Sequence, residues 1–368
     1  MLINLLLSCV IAGGAQGALD TPESRSDDAT AEIVALAMQA HDRRIRAIEW
    51  VQSVFVRNHD PETGVAGDWV LRKKGTFGED SSGNWYYHGS SGKRANIEDE
   101  MEYVDEAFTS TPMYAVGWLS GRNEFVIQPP FELPRYQAGP FMGLGRWLEI
   151  TGTRRLSEIL LESDMLRVHE VDEAKGRVTL AAEAVVSDQP CSLLITVDRQ
   201  YSYAPVIIRR YNAAYNALAE EIINTEFQRI DDVWIPTAGT RAMFTRGRLT
   251  EAQSRKFKAS VAGHASEMSL AETDPAVTRA AALELFGDGG WPVTLLADVM
   301  TSFSIHEVLS VNAGLRAELF RVRVPPTALV TNAMNGLHTR MTSIDAVVAG
   351  FDLIVLEDEP VRPWWMRR

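Results

Sequence analysis

The stretch from Cys191 to Thr245 constrains the fold more than any other part of this 368-residue chain. Apolar side chains at Cys191, Leu193, Ile195 and Val197 alternate with mostly polar ones, and short turns divide the whole stretch into four segments. Side chains of a strand point alternately to the two faces of a sheet, so a period of two predicts a sheet with one buried face. The stretch is therefore predicted to form four successive antiparallel strands.

The same pattern extends over most of the chain. Further strands are predicted at 49–57, 68–77, 84–88, 100–108, 114–120, 124–128, 165–171, 177–186, 303–311 and 318–324. A helix is predicted over 30–48 with an apolar side at Ile33, Leu36, Ala37 and Ala40, and a short helix over 156–162. The predicted fold is mainly β with helices (α+β), an incomplete antiparallel β-barrel or strongly curved sheet with an N-terminal helix and a helical lid.

Five segments follow from this pattern. Residues 1–17 are predicted to be a signal peptide, 18–29 a polar tether, 30–250 the half-barrel domain, 251–300 a helical insertion, and 301–368 the closing strands and C-terminal tail. Within the insertion, Asp274 and Pro275 begin a helix and Gly287 ends it, since these residues favour the N-cap, the first turn and the C-terminus respectively.

The N-terminal segment predicts export. Met1 to Gly17 is apolar, ends in small residues and is shorter than the roughly 20 residues that span a bilayer, which is typical of a cleaved secretory signal. The sequence before Cys9 also resembles a bacterial lipobox, so an outer-membrane lipoprotein anchored at Cys9 is the alternative to a periplasmic or secreted protein. Cys191, on an apolar strand face, is interpreted as a small buried hydrophobe.

Charge and motifs exclude several functions. A net charge of −13 argues against nucleic-acid binding, which requires concentrated positive charge. The seven histidines show no metal-ligand spacing, and no nucleophile elbow, calcium loop or dinucleotide loop is present, so no catalytic residue, metal or cofactor is predicted. The acidic run from Glu98 to Glu106 is interpreted as a solvated strand edge.

Four short motifs recur at strand and turn positions of this pattern. They are Leu-Ser-Glu-Ile-Leu-Leu at 156–161, Ile-Thr-Val-Asp at 195–198 followed by Tyr-Ala-Pro-Val-Ile at 203–207, Phe227 to Pro236, and Val311-Asn312 leading to Phe320 to Pro325. These motifs resemble the LolA/LolB-like (outer-membrane lipoprotein-sorting protein-like) superfamily, in particular its long bacterial secreted members. The resemblance covers about residues 30–330 and departs from the family pattern at Pro326 and in 251–300. It implies an incomplete barrel with a helical plug, enclosing an apolar cavity for acyl chains.

The function expected from this resemblance is non-enzymatic binding of a lipophilic ligand, the acyl chain of a lipid or lipoprotein. A cavity lined by strand residues would gain about 0.8 kcal/mol for each methylene it buries. The candidate lining residues are Trp50, Val54, Trp69, Leu71, Trp85, Tyr103, Phe108, Tyr114, Trp118 and Phe125. Two other functions stay open: an envelope sensor or protein-interaction module on the same fold, and a hydrolase whose base and nucleophile converge only in space.

Overall fold

The structure is a computed structural model of the chain that describes residues 23–58, 67–82, 84–93, 102–129, 155–186, 189–244, 249–287, 299–324, 328–340 and 354–356. Helix α1 comprises Glu23–Arg44. Six strands follow it: β1 (Ala47–Asn58), β2 (Val70–Asp80), β3 (Trp85–Lys93), β4 (Glu102–Ser110), β5 (Ala115–Leu119) and β6 (Glu124–Gln128).

A short helix, α2 (Leu156–Leu161), precedes the second run of strands. These are β7 (Arg167–Asp172), β8 (Arg177–Val186), β9 (Gln189–Asp198), β10 (Ala204–Asn212), β11 (Ala217–Ile230) and β12 (Val233–Met243). Helices α3 (Glu251–Met268) and α4 (Pro275–Phe286) then lead to β13 (Val299–Val311), β14 (Val322–Val324), β15 (Leu329–Asn332), β16 (Leu337–Arg340) and β17 (Ile354–Leu356).

Fifteen strands form one open sheet in the order β16-β15-β6-β5-β4-β3-β2-β1-β13-β12-β11-β10-β9-β8-β7. All neighbours in it are antiparallel except β6 and β15, while β14 and β17 form a separate parallel pair. Strand β13 joins the first half of the sheet, β1–β6, to the second half, β7–β12, because it pairs with both β1 and β12. The predicted fold class, a mainly antiparallel, incomplete barrel with an N-terminal helix, is confirmed.

The sheet curves around α1, and we call the face that α1 covers the inner face. Helix α1 contacts β7 and β10, and the Nε2 atom of its His41 lies 3.0 Å from the carbonyl oxygen of Trp234 in β12. In a flat sheet β7 and β12 would lie roughly 24 Å apart, about twice the diameter of a helix, so only a bent sheet lets one helix reach both.

The buried side of α1 is not the predicted one. Ala31, Val34, Ala35 and Met38 are fully buried at the i, i+3, i+4, i+7 spacing of one helix face. Ile33 and Leu36, which the prediction placed on the packed side, are exposed. The helix has two apolar stripes, and the stripe with two alanines faces the sheet, where small side chains allow close approach.

The helix also ends earlier than the predicted residue 48, because a distant residue caps it. The side chain of Asn312, which directly follows β13, donates to the carbonyl oxygen of Arg44 at 2.7 Å and accepts from the backbone N–H of Arg46 at 2.7 Å. Strand β1 can therefore begin at Ala47. The polar residues His41 and Asp42 are buried, and the Ser157 hydroxyl donates to Asp42 Oδ2 at 2.7 Å, which joins α1 to α2.

The second half of the sheet matches its predicted alternation. Cys191, Leu193, Ile195 and Val197 of β9 lie in one buried cluster with the alternate residues Val178, Leu180 and Ala182 of β8. The prediction that Cys191 is a buried hydrophobe is confirmed, since it is 1% exposed in that cluster. The same cluster contains the buried residues of α1 and α2, so these helices fill the inner face here.

The connection between β12 and β13 carries the helix pair α3 and α4. The predicted signals of α4 are confirmed, since the Asp274 carboxylate accepts from the N–H of Ala276 at 2.8 Å and Gly287 is the C-cap. Residues 251–268 form the mostly exposed helix α3. None of the described helices combines the length and the apolar character that crossing a bilayer requires.

Candidate functional site

The inner face of the first half of the sheet differs from that of the second half and is the candidate site. Ile305 of β13 packs against both the aliphatic cluster beneath α1 and a second cluster on β1–β4, so the two clusters lie on the same face. The second cluster is built from aromatic residues, among them Trp50, Phe77, Tyr87 and Phe108.

Those four residues form a ladder across four neighbouring strands, which we call the aromatic wall. Trp50 pairs with Phe77, Phe77 with Tyr87, and Tyr87 with Phe108 in the strand register. Their ring centroids are 5.8, 4.6 and 6.3 Å apart, with interplanar angles of 8°, 27° and 12°. Each stacked pair adds about 0.5–1.5 kcal/mol to the burial of its rings, so the wall is rigid as well as apolar.

Two glycines make room for the wall. A Cβ atom on Gly75 would lie 2.7 Å from Cε2 of Tyr87, and one on Gly89 would lie 2.8 Å from the same atom. The Tyr87 ring therefore lies flat over the paired backbones of β2 and β3, and its hydroxyl donates to the carbonyl oxygen of Ser90 at 2.9 Å. Burial raises the pKa of Tyr87 far above the ordinary value of 10.0, so the phenol stays protonated.

Next to the wall on the same face is a buried polar group made of Gln52, Lys73, Ser91 and Glu106, each less than one-tenth exposed. Ser91 donates to Glu106 Oε2 at 2.5 Å, and Lys73 Nζ lies 3.8 Å from the same oxygen. The Lys73 ammonium also lies 4.8 Å from the centre of the Tyr87 ring, which attracts it electrostatically. An ion pair between Lys73 and Glu106 thus lies beside the rings of the aromatic wall.

Gln52 has one amide group that is only partly paired. Its Oε1 atom accepts from Trp50 Nε1 at 2.8 Å, whereas its buried Nε2 atom meets no hydrogen-bond acceptor among the described residues. A buried polar group without a partner costs about 1–3 kcal/mol, and native structures keep few of them. Gln52 is 0% exposed, so bulk solvent does not reach it.

The sequence pointed to part of this site and missed its polar members. Glu106 belongs to the acidic run interpreted as a solvated strand edge, and that interpretation is wrong for Glu106, which is buried where β4 pairs with both β3 and β5, whereas Glu102 is exposed where β4 pairs with β3 alone. Asp105 is half-buried, and its pKa is raised by that burial. The missed signal was the alternation itself, which places Glu106 on the same face as Phe108.

The ten predicted lining residues fall into three sets. Trp50, Trp85 and Phe108 lie in the inner cluster of the first half. Val54, two residues after Gln52 in β1, is half-buried on the same face. Tyr114, Trp118 and Phe125 are buried on the outer face, in a cluster with Val322, Ala328 and Val330. The remaining three are less enclosed: Leu71 is half-buried, and Trp69 and Tyr103 are exposed.

The outer face of the first half is covered by the C-terminal part of the chain. Phe320 meets the Tyr86 ring edge-on at 5.3 Å, and Arg316 forms an ion pair with the buried carboxylate of Glu49. Burial and the Glu49 carboxylate raise the pKa of Tyr86. The outer cluster is therefore formed where the segment after β13 packs against the sheet.

Two other places bring polar groups together. Ser53 Oγ lies 2.7 Å from His306 Nε2 on the face opposite Gln52, within reach for proton transfer, but Ser53 is buried within paired strands. A cavity of about 220 Å³ on the second half is lined by charged residues such as His169, Lys175 and Arg209. In the described ranges no three His, Cys, Asp or Glu residues gather as a metal site.

Comparison with known proteins gives structural similarities only. No family model matches the chain, and no curated protein matches it. It is similar to a DUF1329 family protein from Desulfovibrio piger, with 8% identity and a TM-score of 0.35 over 79% of this chain and 95% of that one. It is also similar to a LolA superfamily protein from Nitrosomonas europaea, with 9% identity and a TM-score of 0.37 over 78% of this chain and 97% of that one. The second structure belongs to the superfamily that the sequence motifs resemble.

Proposed function

We propose that this chain is an exported, non-enzymatic protein that binds a lipophilic ligand, an acyl chain of a lipid or lipoprotein, against the aromatic wall. One observation carries the proposal: an ordered ladder of four rings on the inner face of an open, curved sheet. The other half of that face is filled by helices α1 and α2, whereas the wall is packed against strand residues such as Val233 and Ile235 of β12, which a guest would have to replace.

The energetics favour reversible binding. Burying an acyl chain gains about 0.8 kcal/mol per methylene, so ten methylenes supply roughly 8 kcal/mol before the costs of association. The wall residues are at most 9% exposed, so a ligand takes the place of protein atoms that already cover them. The net binding free energy is then the difference between the ligand's contact with the wall and the protein's own contact that the ligand replaces. A small difference suits a protein that must release its ligand.

Export rests on Met1 to Gly17, which lies outside the described residues. Mass analysis of the mature protein from a bacterial envelope tests it directly. Loss of residues 1–17 supports a periplasmic or secreted protein, and an acylated N-terminal Cys9 supports the lipoprotein alternative. A full-length N-terminus in the cytoplasmic fraction would contradict export.

Ligand binding is tested by native mass spectrometry of the protein purified from an envelope fraction, followed by titration with a neutral fluorescent dye, N-phenyl-1-naphthylamine. We expect co-purified acyl species and dye displacement by acyl compounds. Phe108→Leu removes one ring of the wall and is expected to weaken dye binding about fivefold, the value of one lost ring contact.

The matched control is Phe125→Leu, which makes the same change on a buried strand residue of the outer face. It should lower stability by a similar amount and leave the dye affinity within about twofold of the unchanged protein, because it removes no wall contact. Absence of both acyl adducts and dye binding, together with a single stoichiometric envelope protein in a pull-down, would favour the sensor alternative instead.

A further inference from the structure

We infer that two copies of this chain associate through β7, with the β7 strands of the two copies paired antiparallel across a two-fold axis. The inference goes beyond the proposed function and does not depend on it, because the aromatic wall lies on β1–β4 and β7 ends the opposite half of the sheet. Three features of β7 support it: its position, the order of its charges and the exposure of its side chains.

Strand β7 is one of the two ends of the open sheet. In the described part of the chain it pairs only with β8, so the backbone N–H and C=O groups along its other edge meet no strand there. β7 comprises six residues, whereas β16 at the opposite end comprises four. Six residues is an ordinary strand length, and an open edge of this kind is a template for another strand.

The charges of β7 are arranged so that the strand is complementary to itself. Its sequence is Arg-Val-His-Glu-Val-Asp, with Arg167 and His169 in the first half and Glu170 and Asp172 in the second. An antiparallel pairing centred between His169 and Glu170 places Arg opposite Asp, Val opposite Val and His opposite Glu, each pair twice. A parallel pairing in register would place like charges opposite each other, which is unfavourable. The sequence therefore favours a second copy in the antiparallel direction.

The faces of β7 agree with this pairing, since residues directly opposite each other point to the same face of a sheet. Val168 and Val171 point to the inner face, because they pair with residues of β8 that belong to the aliphatic cluster. The other residues of β7 point to the outer face. Among them, His169 at the β-bulge and Glu170 line the charged cavity together with Thr179, which alternates with the buried residues of β8.

The side chains along this edge are available to a partner. Arg167, His169 and Glu170 are exposed and form no hydrogen bond or ion pair within the described ranges. Val171 is 43% exposed although it is apolar. Charges on an edge strand commonly prevent association, as lysines do, because a copy then meets charge of the same sign. Here an antiparallel copy meets charge of the opposite sign, so the same residues favour association.

Sedimentation velocity of the protein purified from an envelope fraction, over a range of concentrations, measures this association. A single strand pair buries less area than a standard interface, so we expect a weak dimer with a dissociation constant on the order of 50 µM at low ionic strength. Salt screens exposed charge pairs, and about 0.5 M salt should weaken the dimer roughly fivefold. A chain that stays monomeric at about ten times that dissociation constant overturns the inference.

A charge swap tests the register. Arg167→Asp places an aspartate opposite Asp172 of the second copy, and Asp172→Arg places an arginine opposite Arg167 of the second copy. Each variant alone should dimerise roughly tenfold more weakly, because two attractive pairs become repulsive. An equal mixture of the two variants restores an Arg–Asp pair at both positions, so heterodimers should form with about the original dissociation constant. Recovery in the mixture also shows that both variants are folded.

A second swap covers the case in which the first one disturbs the fold. Asp172 accepts from the backbone N–H of Lys175 at 3.1 Å, so its replacement loosens the turn before β8. His169→Glu and Glu170→Lys leave that turn intact and should also dimerise more weakly alone than in an equal mixture.

The matched control is Arg255→Asp, the same change of charge on an exposed position of α3, which should leave the dissociation constant within about twofold of the unchanged protein. Folded variants of either swap that dimerise like the unchanged protein, or whose mixture dimerises no better than each variant alone, overturn the inference. The proposed function stands in either case, because no wall residue is changed.

Discussion

The two halves of the inner face use one curved sheet for different purposes. Over β8–β11 the face is aliphatic, with Leu180, Leu193 and Ile195 fully buried beneath α1 and α2. Over β1–β4 it is aromatic and includes charged and amide side chains. An aliphatic cluster needs no hydrogen-bond or ion-pair partners. A buried ion pair, and a buried amide whose donor has no partner among the described residues, lower the stability of the fold. This difference is the one that the proposed function predicts, with a ligand-binding first half and a second half that stabilises the fold.

The largest expected effect tests the second half as the stability core. Leu193→Ala removes a fully buried side chain and leaves a cavity, so it should lower the free energy of unfolding by about 4 kcal/mol in urea denaturation. Dye affinity should not change, because Leu193 lies in the aliphatic cluster. A loss of affinity as large as that of Phe108→Leu would show that the two halves are not distinct.

The next effect concerns the ion pair of the first half. Lys73→Met leaves the Glu106 carboxylate without its cation and should cost about 3 kcal/mol of unfolding free energy. Adding Glu106→Gln, which still accepts from the Ser91 hydroxyl, should restore more than half of that loss. If the double variant is as unstable as the sum of both single variants, the two charges are not coupled and the polar group is not a unit.

The smallest effect is a pH dependence. The folded protein keeps Tyr87 protonated because its pKa is raised. The stability that Tyr87 contributes to the fold is therefore fully present below the ordinary pKa of 10.0 and is lost as the pH rises above it. Tyr87→Phe should cost about 1 kcal/mol at pH 7, by loss of the bond to Ser90, and should make the alkaline loss of stability shallower.

Tyr203→Phe, in the aliphatic cluster, is the matched control for that measurement. Burial raises the pKa of Tyr203 as well, but the Arg199 guanidinium opposes the shift. The variant should therefore flatten the alkaline denaturation curve less than Tyr87→Phe does. Equal flattening by both would mean that the phenol in the wall is no more strongly held than the one in the aliphatic half.

The sequence predicted those features that depend on near neighbours. Alternation in β8 and β9 gave both strands and their buried faces, and Asp274 with Gly287 gave the ends of α4, because each signal acts within a few residues. The buried stripe of α1 could not be chosen, since two apolar stripes compete and only the sheet decides between them.

The site itself was predictable only in part for the same reason. Aromatic residues were recognised, but their faces depend on register, which divides Phe108 from Phe125. Lys73 and Glu106 read as ordinary surface charges until β2, β3 and β4 are paired. The burial of Gln52 could not be predicted from the residues next to it in the sequence, because it depends on how the strands pair and pack.

The position of β13 has a consequence for how the chain acquires its structure. The residue that caps α1, Asn312, lies 268 residues after Arg44, and the strand before it is the only described strand that pairs with both halves of the sheet. The two halves therefore cannot be joined until β13 and Asn312 have left the ribosome. Pairing between strands so distant in sequence is slow, so we expect the joining of the two halves to be a late step of folding.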